Sequence, residues 1–418
     1  MKKFITIVLT TGIILRLILA FTTYHSDIIP FDFAGKVIAS GNIANFYDYL
    51  WKLPDGDPIL KVYPRNLFNY PPLPYFFLGG ASLLTTWVVD NNVHDSFVFN
   101  FSSILGNPWL NLLLLLLKLP YFLFDIAIAY LLMSFFKNES EKKWAFALWI
   151  FNPVNLYATY MIGQFDIIPT FMTVLALYLA PKRITWSAFL LGLGAGFKIF
   201  PLLFIIPLAF SKSSWNERIK LLFIASATYF VSAFPFLFSE GFRRTAMLAG
   251  QTTKSFYAQI PVSGGESVIL FLAAIIFIYL VFLHHKSRVE NLWQRFFVVI
   301  LTFFIFTHFH LQWFLWTMPF FVIDLVYTKF KHLSLFAGLI ISYVGMITFF
   351  DSGLSIGLFA PVNRLLYNLP PFWSILGINL DLNTSLAINT ARSILHTIFV
   401  GISAYYIYYY FPKQKNEN

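Results

Sequence analysis

The chain contains no cysteine, which excludes disulfide frameworks, thiolate nucleophiles, zinc sites with thiolate ligands and iron–sulfur clusters. Charge is scarce as well: 11% of the 418 residues are Asp, Glu, Lys or Arg, against about 25% in soluble domains. With 58% hydrophobic and 20% aromatic residues, that scarcity excludes an ordinary water-soluble enzyme. Carboxylates, His, Lys and Arg remain as the groups able to do chemistry. The charge leans positive, 29 Lys and Arg against 19 Asp and Glu, but it falls between apolar runs rather than on one soluble face. It therefore reads as membrane topology, and no nucleic-acid partner is expected.

A helix needs about 20 apolar residues to cross a bilayer. The first such run, residues 4–21, follows Lys2 and Lys3 and has no small-residue cleavage site, so it is expected to be a retained anchor with its start in the cytoplasm. The next, 109–136, ends at Lys137, Lys142 and Lys143, which places that end inside as well. Residues 22–108 then form a long first extracytoplasmic loop. Its apolar stretch, 71–89, is expected to be a re-entrant or membrane-lying helix, because counting it as a span would invert the positive-inside pattern downstream. Further spans are read at 144–162, 165–180, 184–197, 199–210, 219–238, 267–283, 296–311, 313–327, 333–350 and 386–411. The expected fold is an all-α integral membrane protein of about twelve transmembrane helices, eleven to thirteen, in a single polytopic domain over residues 1–418. Extracytoplasmic loops are expected at 22–108, 239–266 and 351–385.

Several residues stand out on the loop side. Asp27 and Asp32 lie just beyond the first span, and each reads either as a solvated loop residue or as a catalytic carboxylate. Tyr70 to Pro74 opens the apolar stretch with prolines suited to a helix start. Gln164 and Asp166 follow a Pro153 break and Gly163, with Asp166 equally readable as a helix cap. The runs 184–197 and 199–210 are too short to cross singly, so Lys198 at their tip either faces a polar cavity or snorkels to the headgroups. Lys118 and Asp125, seven apart in one span, share a face and a possible polar seam. His308 and His310 sit in a turn with Gln312 and Trp313; no carboxylate stands at ligand spacing, so a metal site is unsupported and an aromatic cluster or a phosphate contact remains. Arg243, Arg244, Lys254 and Arg364 break the positive-inside bias, as residues serving an anionic ligand would.

In order, these motifs resemble the GT-C superfamily of integral-membrane glycosyltransferases, most closely its prokaryotic mannosyltransferase-like branch. The likeness rests on Asp27 to Asp32, Phe46 to Asp48 with Tyr70 to Leu73, Lys118 with Asp125, Asn152-Pro153 with Gly163 to Asp166, Lys198 with Pro201, and His308 to Pro319. It implies a polyprenyl-phosphate sugar donor, a lipid-linked, glycan or protein acceptor, and a site on the outer face of a prokaryotic plasma membrane. An inverting transfer needs one carboxylate to take the acceptor proton, here Asp27 or Asp32. The departing phosphate needs cations or donors rather than an acid, for which Lys198, His308, His310, Arg243 and Arg244 are candidates. Gln164, Asp166, Tyr70, Lys118 and Asp125 are expected to line the cavity. No cofactor is required by these residues, and a divalent cation such as Mg²⁺ or Mn²⁺ is left open. The competing class is a transporter or flippase of a lipid-linked or anionic solute, and a non-catalytic assembly subunit is a third.

Overall fold

A computed structural model describes residues 1–247, 253–285, 288–307, 310–377 and 384–412. The described chain is almost entirely helical. In order it forms α1 (Lys2–Thr22), α2 (Ile29–Ala39), α3 (Pro72–Thr85), α4 (Asn91–Phe99), α5 (Pro108–Ser134), α6 (Glu139–Ile150) and α7 (Ile167–Phe197). After these come α8 (Trp215–Ala233), a hairpin of β1 (Gln259–Ser263) and β2 (Glu266–Ile269), then α9 (Leu270–His284), α10 (Leu292–Phe306), α11 (Met318–Tyr327), α12 (Leu333–Thr348) and α13 (Thr384–Tyr410). Among the described residues six helical stretches, α1, α5, α7, α8, α10 and α13, are long and apolar enough to cross a bilayer by length and composition once the short 3₁₀ extensions of α8 and α10 are included, although α7 is folded back on itself. Four shorter apolar helices accompany them, at Phe200–Ala209, Leu270–His284, Leu311–Tyr327 and Leu333–Thr348. Large apolar side chains face outward, among them Leu123, Phe223 and Ile341, as a lipid-facing surface requires.

The local sequence accounts for the breaks. Asn107 and Asn138 cap α5 and α6 by accepting from Trp109 and Ser140 backbone N–H groups, and Pro108 takes the first position of α5. The span read at 144–162 is not continuous: α6 stops at Ile150, Asn152 caps a short turn at Pro153–Asn155, and a π-helical stretch follows at Leu156–Met161. The 31 residues of α7 are two antiparallel legs, because Pro181 and the non-helical Arg183 (φ −141°, ψ 57°) turn the chain back. Ser187 Oγ donates to the Ala176 carbonyl across that turn at 2.7 Å. The readings at 165–180 and 184–197 thus correspond to these legs, with Lys182 and Arg183 at the turn and Lys198 at the other end.

One buried polar network holds the first half together. Arg16 of α1 pairs with Asp125 of α5 at 2.5 Å, both wholly buried. The Asp125 carboxylate also accepts from Trp149 Nε1, Asn155 Nδ2 and the Tyr160 hydroxyl at 2.7–2.8 Å. A buried carboxylate is tolerated only when paired and hydrogen-bonded, so Asp125 fixes α1, α6 and the broken 152–161 stretch against α5. A second close contact joins α2 to α3: a Cβ on Gly35 would lie 2.9 Å from the Gly79 carbonyl oxygen.

The connecting segments gather at one end of the bundle. Tyr24 N–H donates to Leu358 O at 2.8 Å, and Tyr157 OH donates to Leu354 O at 2.6 Å. Asp48 accepts from Ser239 Oγ and Gly241 N–H, both at 2.8 Å, and Thr245 Oγ1 donates to Phe68 O. Residues from 22–68, 239–245 and 354–358 are therefore joined in one cap, opposite the Lys182–Arg183 turn.

Candidate functional site

Under that cap four segments meet: the turn after α1, the break before α7, the tip after α7 and the turn before α11. Asp27 lies in a single 3₁₀ turn whose start is fixed by His25, the imidazole Nδ1 accepting from the Asp27 N–H at 3.2 Å. Its carboxylate is one-third exposed. Gln164 Nε2 donates to Asp27 Oδ2, and Gln312 Nε2 approaches the same oxygen at 3.4 Å. Gly163 makes the Gln164 placement possible: it sits at φ +80°, and a Cβ there would meet Ile28 Cδ1 at 3.0 Å and Lys118 Cε at 3.2 Å. The Gln164 carbonyl oxygen Oε1 is buried without a partner among the described residues.

Deeper in, Asp166 and Lys198 form a buried ion pair, Nζ lying 2.7 and 2.9 Å from the two carboxylate oxygens. Asp166 occupies the helix-start position of α7 but makes no capping bond with its side chain; the carboxylate turns instead to Lys198 and accepts from Trp316 Nε1. Snorkelling is likewise not what Lys198 does. Its amine is enclosed by the rings of Tyr70, Phe165, Trp316 and Trp313, with centroids 5.2–5.4 Å away, a cation–π cage.

Lys198 also forms the polar end of a cavity of about 410 Å³. Tyr70, Pro71, Phe200, Trp313 and Trp316 are among its walls, which are mainly apolar. Phe200 stacks on Trp316 with centroids 4.2 Å apart, and Trp316 on Trp313 at 5.2 Å. The result is an aromatic wall running from the cation into the bundle.

Other residues singled out in the sequence lie elsewhere. Asp32 is buried and faces α3 and α4, with Oδ1 accepting from Ser82 Oγ and lying 2.8 Å from His94 Nδ1; it is a packing pair rather than an open carboxylate. Lys118 does not line the cavity, because its amine is buried and donates to the Ala20 and Thr23 carbonyls at 3.2 and 2.7 Å. Asp125 does not line it either, its oxygens being consumed by the Arg16 network. Arg243 donates to Leu237 O and Arg244 pairs with Glu240 on the surface, and neither borders the cavity. His308 lies outside the described residues. His310 packs against Trp313 with tilted rings, centroids 4.4 Å apart, and accepts from the Lys254 amine. Burial holds that amine below its ordinary range.

Arg16, His94 and Trp316 escaped the sequence reading. An arginine within an apolar span is itself a signal of a buried partner, whereas His94 and Trp316 carry none that separates them from other loop and aromatic residues. Among the described residues no three carboxylates and imidazoles converge as a metal-binding group.

Residues 108–307, just under half of the chain, match Glycosyltransferase family 87. The likeness is to a membrane glycosyltransferase. It agrees with the enzyme class read from the sequence, and the matched stretch carries Gln164, Asp166 and Lys198. A second comparison finds the GPI mannosyltransferase 1 of Trypanosoma brucei brucei, 26% identical over an alignment of 185 residues, with 42% of this chain covered. The match spans 37% of that protein's length. No solved structure matches the chain.

Proposed function

We propose that the protein is a polyprenyl-phosphate-dependent glycosyltransferase of the GT-C type, inverting, with Asp27 as general base. The observation that carries this reading is the partly exposed Asp27 carboxylate, held by the Gln164 and Gln312 amides, with Gln164 two residues before Asp166, whose ion-pair partner Lys198 borders an apolar cavity. The acceptor hydroxyl oxygen attacks the anomeric carbon, its proton passes to Asp27, and the bond from that carbon to the phosphate oxygen breaks with its electron pair. The phosphate departs as polyprenyl phosphate, needing no acid. Lys198 is positioned to stabilise that leaving charge, exchanging part of its contact with Asp166 for the phosphate. The aromatic walls from Phe200 to Trp313 suit the first isoprene units.

A hexose is the sugar, mannose being favoured by the name of the trypanosome relative. The acceptor is a lipid, glycan or protein. The topology we adopt is a single membrane domain of about twelve spans in a prokaryotic plasma membrane, site outward, since the Lys182–Arg183 turn lies at the end opposite the cap. The apolar, exposed Leu84 and Trp87 at the end of α3 support a membrane-lying helix beside the cavity. The test is transfer of label from radiolabelled polyprenyl-phosphate mannose into a lipid extract by purified protein. Flux of the intact lipid-linked sugar through proteoliposomes without transfer would favour a flippase instead.

A further inference from the structure

At the end of the bundle opposite the cap lies a cavity of about 600 Å³. Three segments enclose it: the end of α5 at Ser134 and Phe135, the turn within α7 between Leu177 and Arg183, and the start of α10 between Val289 and Trp293. Lys182 and Arg183 border it from the turn, and Glu290 borders it from the start of α10. Among the described residues none of these three takes part in an ion pair. Opposite charges that share a cavity without closing on each other leave a gap, and a ligand carrying both signs would bridge it.

Much of the remaining lining is apolar, with Phe135, Leu177 and Leu179. Tyr178 and Trp293 also border the space, and Tyr and Trp gather where a bilayer meets water. The turn belongs at that level for a second reason: both legs of α7 run from it into the bundle, while Lys182 and Arg183 are too costly to hold in hydrocarbon. Charges of both signs over an apolar floor match the head and first chain atoms of an amphiphile. Inorganic phosphate would leave Glu290 and the apolar floor unmatched. A purely anionic headgroup would suit Lys182 and Arg183 but meet Glu290 as a like charge.

We propose that this cavity binds a zwitterionic phospholipid from the leaflet on that side, one whose headgroup carries a phosphate and a primary ammonium. Lys182 and Arg183 take the phosphate, Glu290 takes the ammonium, and the glycerol and first methylenes lie against Phe135, Leu177 and Leu179. Bound there, the lipid ties the end of α5 and the start of α10 to the turn of α7. The site does not depend on the transferase reading, since it shares no residue with the cavity headed by Lys198.

The test titrates the purified, delipidated full chain with phosphatidylethanolamine, phosphatidylcholine and phosphatidylglycerol of matched acyl chains, read by native mass spectrometry. Phosphatidylethanolamine is expected to be held about fivefold more tightly than phosphatidylglycerol, the scale of one ion pair in contact with water. It should also exceed phosphatidylcholine, whose quaternary ammonium has no N–H to donate. Glu290→Gln should erase the margin over phosphatidylglycerol, and Glu290→Arg should reverse it. Lys182→Gln with Arg183→Gln should weaken all three lipids and keep their order, because the phosphate is common to them. In a thermal melt phosphatidylethanolamine should raise the midpoint of wild type more than that of Glu290→Gln. Equal retention of phosphatidylethanolamine and phosphatidylglycerol by wild type, an unchanged order in both Glu290 variants, or undiminished binding in the Lys182 and Arg183 double variant would overturn the site. Binding of water-soluble glycerophosphoethanolamine as tight as that of the lipid would overturn the lipid as its source.

Discussion

Asp166 and Lys198, 32 residues apart, are joined by a doubly hydrogen-bonded ion pair that is nearly inaccessible to water. Removing one partner from such a pair strands the other and costs about 3–5 kcal/mol, whereas replacing both with neutral groups is far better tolerated. Lys198→Met is therefore expected to lower thermal stability in detergent and to reduce transfer by at least about a hundredfold. The double variant Asp166→Asn with Lys198→Met should recover much of the stability and none of the transfer. Recovery of both would show that the pair serves packing alone.

Gly163 should be irreplaceable for a conformational reason. Alanine at φ +80° is strained by about 1–3 kcal/mol, and its Cβ would press on Ile28 and the Lys118 stem. Gly163→Ala is expected to cut transfer more than tenfold by displacing Gln164 from Asp27, with the membrane-inserted protein still recovered. Transfer at the wild-type rate would detach Gln164 from the reaction.

Asp125 is expected to matter for folding rather than turnover. Asp125→Ala leaves Arg16 buried without its counter-charge and should destabilise by about 3–5 kcal/mol. Arg16→Met with Asp125→Leu should recover in a thermal melt only the part due to the uncompensated charge, because Trp149, Asn155 and Tyr160 lose their acceptor, and should keep transfer within a few fold. Such a melt with lost transfer would instead make the network part of the site's placement.

Acid should loosen the cap through Asp48. Burial alone would raise its pKa, but the Lys52 amine, the Gly241 N–H and the Ser239 hydroxyl outweigh burial and hold it below the ordinary carboxylate range. A depressed folded value means that the stabilisation is complete above the unfolded value of about 3.9 and disappears as pH falls through the folded value. Limited proteolysis between 22–108 and 239–269 should therefore increase steeply below about pH 4 in the wild type. Asp48→Asn should show raised cleavage already at neutral pH and a flatter acid dependence.

How far the sequence discloses the molecule differs by residue. Hydropathy and basic turns locate the two legs of α7, because Lys182 and Arg183 are excluded from lipid and Pro181 interrupts the helix. The likeness to a membrane glycosyltransferase is legible in motif order. The choice between Asp27 and Asp32 is not, since both sit beyond the same span and only the fold turns Asp32 toward His94. Lys118 and Asp125 mislead for a related reason: an intramembrane charge advertises a polar partner, but spacing along one helix does not reveal whether that partner is a substrate, a carbonyl of α1 or Arg16. Arg243 and Arg244 violate the positive-inside bias yet are satisfied by Leu237 and Glu240 nearby.

The most direct test compares wild type with Asp27→Asn and Asp32→Asn for transfer from radiolabelled polyprenyl-phosphate mannose, each variant first shown to be folded and monodisperse. Asn at position 27 keeps the hydrogen-bonding shape but cannot take a proton, so transfer should fall by about a thousandfold or more. Asp32→Asn should lose stability through His94 and keep measurable turnover. Full activity in Asp27→Asn, or its selective loss in a well-folded Asp32→Asn, would contradict Asp27 as the base.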